Sequence, residues 1–122
     1  MTKVLVTDGA INARPYKIIV REILGEDVEV ICTYNIPACA NHIKGGQING
    51  VIIPEGHGDW NTVANLESHL GGEIPVPVLK DYALTSMRAF DQKYTEEIKK
   101  KYGESRGEII RGWLREEVGK SE

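Results

Sequence analysis

Lys3-Val4-Leu5-Val6-Thr7-Asp8-Gly9 decides the fold. A short apolar, β-branched run stops at an Asp-Gly turn, the pattern of a buried strand meeting a loop at its carboxyl end. Downstream, Tyr16, Ile19, Val20, Ile23 and Leu24 fall at i, i+3, i+4, i+7 and i+8, the stripe of a helix facing a core, with Pro15 expected in its first turn and Gly25 past its end. Strand, turn and helix then repeat. Residues 28–33 form a second apolar run, and Asn35 caps a short helix bearing Ile36, Ala40 and Ile43 before Gly45-Gly46.

Gly50-Val51-Ile52-Ile53 predicts a third strand, apolar at every position as when helices cover both faces of a sheet, and it breaks at Pro54. Asn61 then predicts the cap of a third helix carrying Val63, Leu66 and Leu70, and residues 74–79 a fourth strand ending at Lys80-Asp81. Strands alternating with helices on such short connections require right-handed crossovers and a doubly wound, mainly parallel sheet of four strands, expected in the order 2-1-3-4. No later segment has the β-branched run of a fifth strand. Pro77 agrees, since proline within a sheet belongs at edges or bulges, which makes strand four an edge.

Two extra helices complete the chain. Met87, Phe90, Tyr94, Ile98 and Tyr102 mark one face of the first. Ser105-Arg106-Gly107-Glu108 matches a capping box opening the second, whose stripe is Ile109, Ile110, Trp113, Leu114 and Val118. These helices are expected to wrap the bare edge, or the Trp113 stripe to join two copies as a homodimer. The predicted organisation is one domain over residues 1–122, a βα core to residue 84 and a helical extension over 85–122.

Net charge is −3 with 27% charged residues, which supplies solubility without the basic field of a nucleic-acid binder. No apolar run approaches the roughly 20 residues of a membrane span. Cys32 and Cys39 lack a CxxC spacing and no targeting segment precedes the first strand, so reduced thiols in a cytoplasmic protein are expected. The partners excluded are nucleic acid and membrane; a protein or a second copy remains.

The order and spacing of the elements over residues 3–90 resemble the response-regulator receiver domain, which has a flavodoxin-like sheet. Lys3-Val4-Leu5-Val6-Thr7-Asp8 is similar to that family's first strand ending in acid, Asn49-Gly50-Val51-Ile52-Ile53 to its third, and Ile74-Pro75-Val76-Pro77-Val78-Leu79 to its fourth. The family's phosphoryl chemistry needs two acids after strand one, an acceptor aspartate ending strand three, a hydroxyl ending strand four and a lysine ending strand five. Here Asp8 matches, but Gly9 replaces its acidic neighbour, Pro54 falls at the acceptor position, Lys80 replaces the hydroxyl residue and strand five is missing. The resemblance therefore implies a degenerate receiver acting as a non-catalytic interaction or regulatory module. A second likeness, of Val51-Ile52-Ile53-Pro54-Glu55-Gly56-His57-Gly58 to a strand-loop of the class I amidotransferase and DJ-1-like superfamily, extends to the loop alone, since the nucleophilic cysteine of that group has no counterpart at residues 77–81.

Parallel sheets bind ligands outside the carboxyl ends of their strands, where strand order reverses. That crevice lies between strands one and three, so Asp8 and Gly9 are predicted to face Glu55, Gly56, His57, Gly58 and Asp59 across it, joined by Lys80 and Asp81. Asp8, Glu55 and Asp59 are oxygen ligands suited to a divalent metal such as Mg²⁺ or Mn²⁺, and His57 would turn the preference toward Zn²⁺, Mn²⁺ or Fe²⁺. An enzyme built there would use His57 as acid or base, with Asp8 or Asp59 as its carboxylate partner and Lys80 beside them. The plainer reading makes Gly56 and Gly58 the shapers of a tight loop and leaves His57 and Asp59 solvated. Trp60 either walls a pocket or packs beneath the loop, and His42 and His69 lie on helix surfaces. A single glycine at Gly9, next to a carboxylate, gives no nucleotide or flavin fingerprint. Two functions follow: the interaction module, or a small metal-dependent enzyme or ligand-binding protein.

Overall fold

The computed structural model describes residues 2–54, 61–85 and 91–119. Four strands, β1 (Lys3–Val6), β2 (Glu29–Cys32), β3 (Gly50–Ile53) and β4 (Val78–Lys80), form one parallel sheet in the order β2-β1-β3-β4. This is the flavodoxin-like strand order. Helices α1 (Ala10–Leu24), α2 (Ile36–Lys44) and α3 (Thr62–Leu70) connect successive strands, and α4 (Asp81–Thr85), α5 (Gln92–Tyr102) and α6 (Arg106–Trp113) follow β4.

Strand alternation divides the core between two faces. Val4, Val6, Ile52 and Leu79 point to one, where α1 lies with Ala13, Tyr16 and Val20, and α6 with Ile109, Ile110 and Trp113. Leu5, Val51 and Ile53 point to the other, under α2 and α3. Cys32 packs with the first cluster and Cys39 with the second, so the sheet separates two free thiols.

Several expectations change. The Trp113 stripe is not an outer surface: Trp113 is buried against the sheet, because α1 alone cannot cover that face and no helix from a fifth strand is there to help. The stripe is therefore spent within the chain and is not an outer face for a second copy. Pro15 sits at the sixth position of α1, not in its first turn; the backbone bond it forfeits belongs to the carbonyl of Ile11, on the face open to water. β4 is confined to three residues, since Pro75 and Pro77 deprive the preceding segment of donors. Met87 and Phe90 lie outside the described residues, while Tyr94, Ile98 and Tyr102 are partly buried on α5.

Three local predictions hold. Asn35 Oδ1 accepts from Ala38 N at 2.9 Å. Ser105 Oγ accepts from Glu108 N at 3.1 Å, the first bond of a capping box, and the hydroxyl donates to Glu108 Oε1 at 2.8 Å in place of the backbone amide that a full box would use. The edge of β4 is closed by α5: Val51 N–H bonds Pro77 O, so by alternation Lys80 N–H points outward, and it donates to Tyr94 Oη at 3.0 Å. Asn61 precedes α3, but its side chain makes no capping bond to that helix.

After α6 the chain widens into a π-helical turn over Leu114–Val118. A π turn brings residues five apart onto one side. Trp113 and Val118 accordingly converge on Gly50, where a Cβ would lie 3.0 Å from the indole and 2.7 Å from Val118 Cγ2.

Candidate functional site

Asp8 leaves β1 with its backbone N–H bonded to Val6 O at 2.8 Å, which turns the chain sharply into α1. Its side chain is 5% exposed. Oδ1 accepts from the Gly9 amide at 2.7 Å, with Asn12 Nδ2 at 3.5 Å, so the carboxylate occupies an amide at the positive end of α1. An open cleft of about 580 Å³ adjoins it, lined by Asp8, Gly9, Ala10, Ile11, Asn12 and Tyr34. The cleft lies between the β1–α1 and β2–α2 connections. Its walls are unusual: Ile11 is 89% exposed and Tyr34 78%.

The parallel β1–β3 register pairs Val6 with Ile52, so the two strands end on the same side of the sheet. Glu55, Gly56, His57, Gly58 and Asp59, expected as ligand-binding or metal residues, lie outside the described residues, as does Trp60. Among the described residues no group of three or more His, Cys, Asp and Glu side chains is arranged to hold a metal. Of the acids expected to bind one, only Asp8 is described.

Lys80 goes elsewhere. Its ammonium pairs with Asp91 Oδ2 at 2.7 Å and lies 4.4 Å from the Tyr94 ring centroid, so the side chain is turned to α5 and does not line the Asp8 cleft. Burial pushes the Tyr94 phenol up to about 12, which keeps its hydroxyl neutral while it holds the Lys80 amide. Burial likewise raises the Cys39 thiol to about 11, and raises Cys32 against an opposing pull from Lys17. Neither cysteine has the character of a nucleophile. His42 and His69 are exposed on α2 and α3.

Sequence reasoning placed Asp81 at the strand ends but missed its partners. Asp81 is fully buried at the start of α4. Arg106 Nε lies 2.8 and 2.9 Å from its two oxygens and an Arg106 Nη 2.5 Å from Oδ2. The Tyr16 hydroxyl donates to Oδ2 and accepts from Arg106 at 2.8 Å. The carboxylate holds the guanidinium further above its already high ordinary pKa. This triad ties α1, the end of β4 and the start of α6 together; it resembles a structural clamp, with every charge answered internally. Two signals pointed to it: Tyr16 on a core-facing stripe needs a hydroxyl partner, and an acid ending a buried strand needs a cation.

No helix among the described residues is long and apolar enough to cross a membrane. No protein-family model, curated protein or solved structure matches the chain.

Proposed function

We propose that this protein is a non-catalytic interaction module with receiver-like topology, acting through a protein partner at the carboxyl end of its sheet. The observation that carries this is the pair of bare apolar side chains, Ile11 and Tyr34, flanking the cleft beside Asp8. Catalytic clefts converge polar groups. Here the polar groups at the end of β4 are engaged with one another: Lys80 with Asp91, Asp81 with Arg106. Exposed apolar surface at a strand-end cleft is the feature of a docking site. Two free thiols with raised pKa values fit a reducing, cytoplasmic setting.

The buried carboxylate of Asp8 favours a second reading, a divalent-metal or ligand site completed by residues 55–59. One experiment separates the two. Under the interaction reading, acetyl phosphate with Mg²⁺ leaves the intact mass unchanged, and Mg²⁺, Mn²⁺ or Zn²⁺ leaves the melting temperature unchanged. Phosphoryl addition, or a metal-dependent rise in melting temperature that disappears in Asp8→Asn, would overturn it.

A further inference from the structure

The outward side of α1 has a composition that names a partner. At 100° per residue, Ile11, Pro15 and Ile18 fall in one row along the helix, and Arg14, Lys17 and Arg21 in the adjacent row. Ile18 is 60% exposed, and Pro15 and Arg14 are exposed as well. With Tyr34, the two isoleucines are the large apolar side chains left in water among the described residues. Tyr34 lines the same cleft as Ile11, at the amino end of the ridge.

Charge on this face is uncompensated. Among the described residues Arg14, Lys17 and Arg21 make no ion pair; Lys44, Lys93, Lys99, Lys100 and Arg115 make none either, but the α1 cations are the ones that lie beside the exposed apolar row. Glu22, the one acid of α1, is already occupied by Arg111 at 3.3 Å. The amino end of α1 is answered by the Asp8 carboxylate at Gly9, so the positive field of this face comes from the basic row itself. In a chain of net charge −3, this is a local cationic strip laid beside an apolar ridge.

From these features we infer that the α1 ridge, continued by Tyr34, docks an acidic amphipathic segment of another protein. The partner's apolar side chains seat on Ile11, Ile18 and Tyr34, and its carboxylates answer Arg14, Lys17 and Arg21. A second copy of this chain is the poorer occupant, because packing α1 on α1 sets cations against cations with no acid on either face left to answer them. The inference rests on the interaction-module reading and specifies its surface and partner class.

The probe is a fluorescently labelled amphipathic helical peptide with leucine on one face and glutamate on the other; its control carries lysine in place of glutamate. Anisotropy with the full chain should show binding of the glutamate peptide and none of the lysine peptide, with affinity falling as roughly 0.5 M NaCl shortens the Debye length below about 5 Å. Arg14→Glu with Lys17→Glu should weaken binding about tenfold or more, and so should Ile18→Asp. These are exposed positions, and an unchanged melting temperature confirms that each variant is folded. Amide shifts on titration should cluster at residues 11–21 and 34. Equal binding of both peptides, binding of neither, or shifts centred elsewhere overturns the inference. Sedimentation then shows what failed. A dimer that Ile18→Asp dissociates makes the ridge a homotypic interface and leaves the module reading standing, whereas phosphoryl addition or metal binding at Asp8 removes that reading as well.

Discussion

Arg106→Met is the most informative single change in the molecule. Methionine retains much of the aliphatic stem and removes the charge, leaving Asp81, fully buried, with the Tyr16 hydroxyl as the remaining member of the triad. Removing one partner of a buried ion pair costs about 3–5 kcal/mol, chiefly because the other charge is stranded. The lower end applies here. The Arg106 side chain is 41% exposed, so solvent already screens part of the attraction, and water can enter the space that the guanidinium leaves. A loss of about 3 kcal/mol is large against the roughly 5–15 kcal/mol that such domains possess. For a chain of this length it lowers the melting temperature by about 10–15 °C. Urea and thermal unfolding followed by circular dichroism measure it. Asp81→Leu combined with Arg106→Met should recover much of the loss, since neither charge is then stranded. A penalty below about 1 kcal/mol, or one that vanishes in about 1 M NaCl as a screened surface pair would, refutes the reasoning.

Gly50→Ala drives a methyl into Trp113 and Val118, 3.0 and 2.7 Å away, and should destabilise by about 1–3 kcal/mol in urea unfolding, with partial recovery in Gly50→Ala/Val118→Ala. Tyr94 should govern part of the alkaline limb of stability. Its folded pKa, about 12, exceeds its ordinary 10, so its contribution is complete below pH 10 and is lost as pH climbs through 12. Tyr94→Phe should flatten that limb, and near neutral pH should cost about 1 kcal/mol for the lost bond to the Lys80 amide. Cys39, buried and with a pKa near 11, should resist iodoacetamide at pH 8 in the folded protein, whereas Cys32 reacts first; faster labelling of Cys39 by mass spectrometry counts against its placement.

The sheet was legible because its strands are short apolar runs that stop at recognisable breakers: Asp8-Gly9 after β1, Pro54 after β3. Capping was legible for the same local reason, at Asn35 and Ser105. The limits of β4 were not. Ile74 and Val76 have strand-like side chains, yet the prolines beside them cannot donate to a ladder, and backbone donors decide pairing. The Trp113 stripe shows a second limit, since a helix's apolar face announces that it is covered without saying by what. The Asp81 triad marks a third: its members are separated by 25, 65 and 90 positions, and no periodicity links residues so distant.

The closed edge and the altered strand ends share a physical origin. Where a further parallel strand would pair with β4, the outward Lys80 amide meets Tyr94 instead, and the Lys80 side chain closes over the same ring onto Asp91. One residue thus blocks edge pairing with its backbone and anchors α5 with its charge. With α5 at the edge, the chain turns at Gly103 and sends α6 across the face that α1 leaves open, and Arg106 at the head of α6 meets Asp81. Closing the sheet at four strands therefore commits both charged residues that end β4 to holding the C-terminal helices in place. Neither Lys80 nor Asp81 lines the cleft beside Asp8, whose described walls include the exposed apolar side chains Ile11 and Tyr34. Lys80→Met tests this link directly. It should loosen α5, seen as faster amide exchange across residues 92–102, while leaving exchange at Val4 and Val6 unchanged; protection at α5 equal to that of the native chain would show that the edge is held by something other than Lys80.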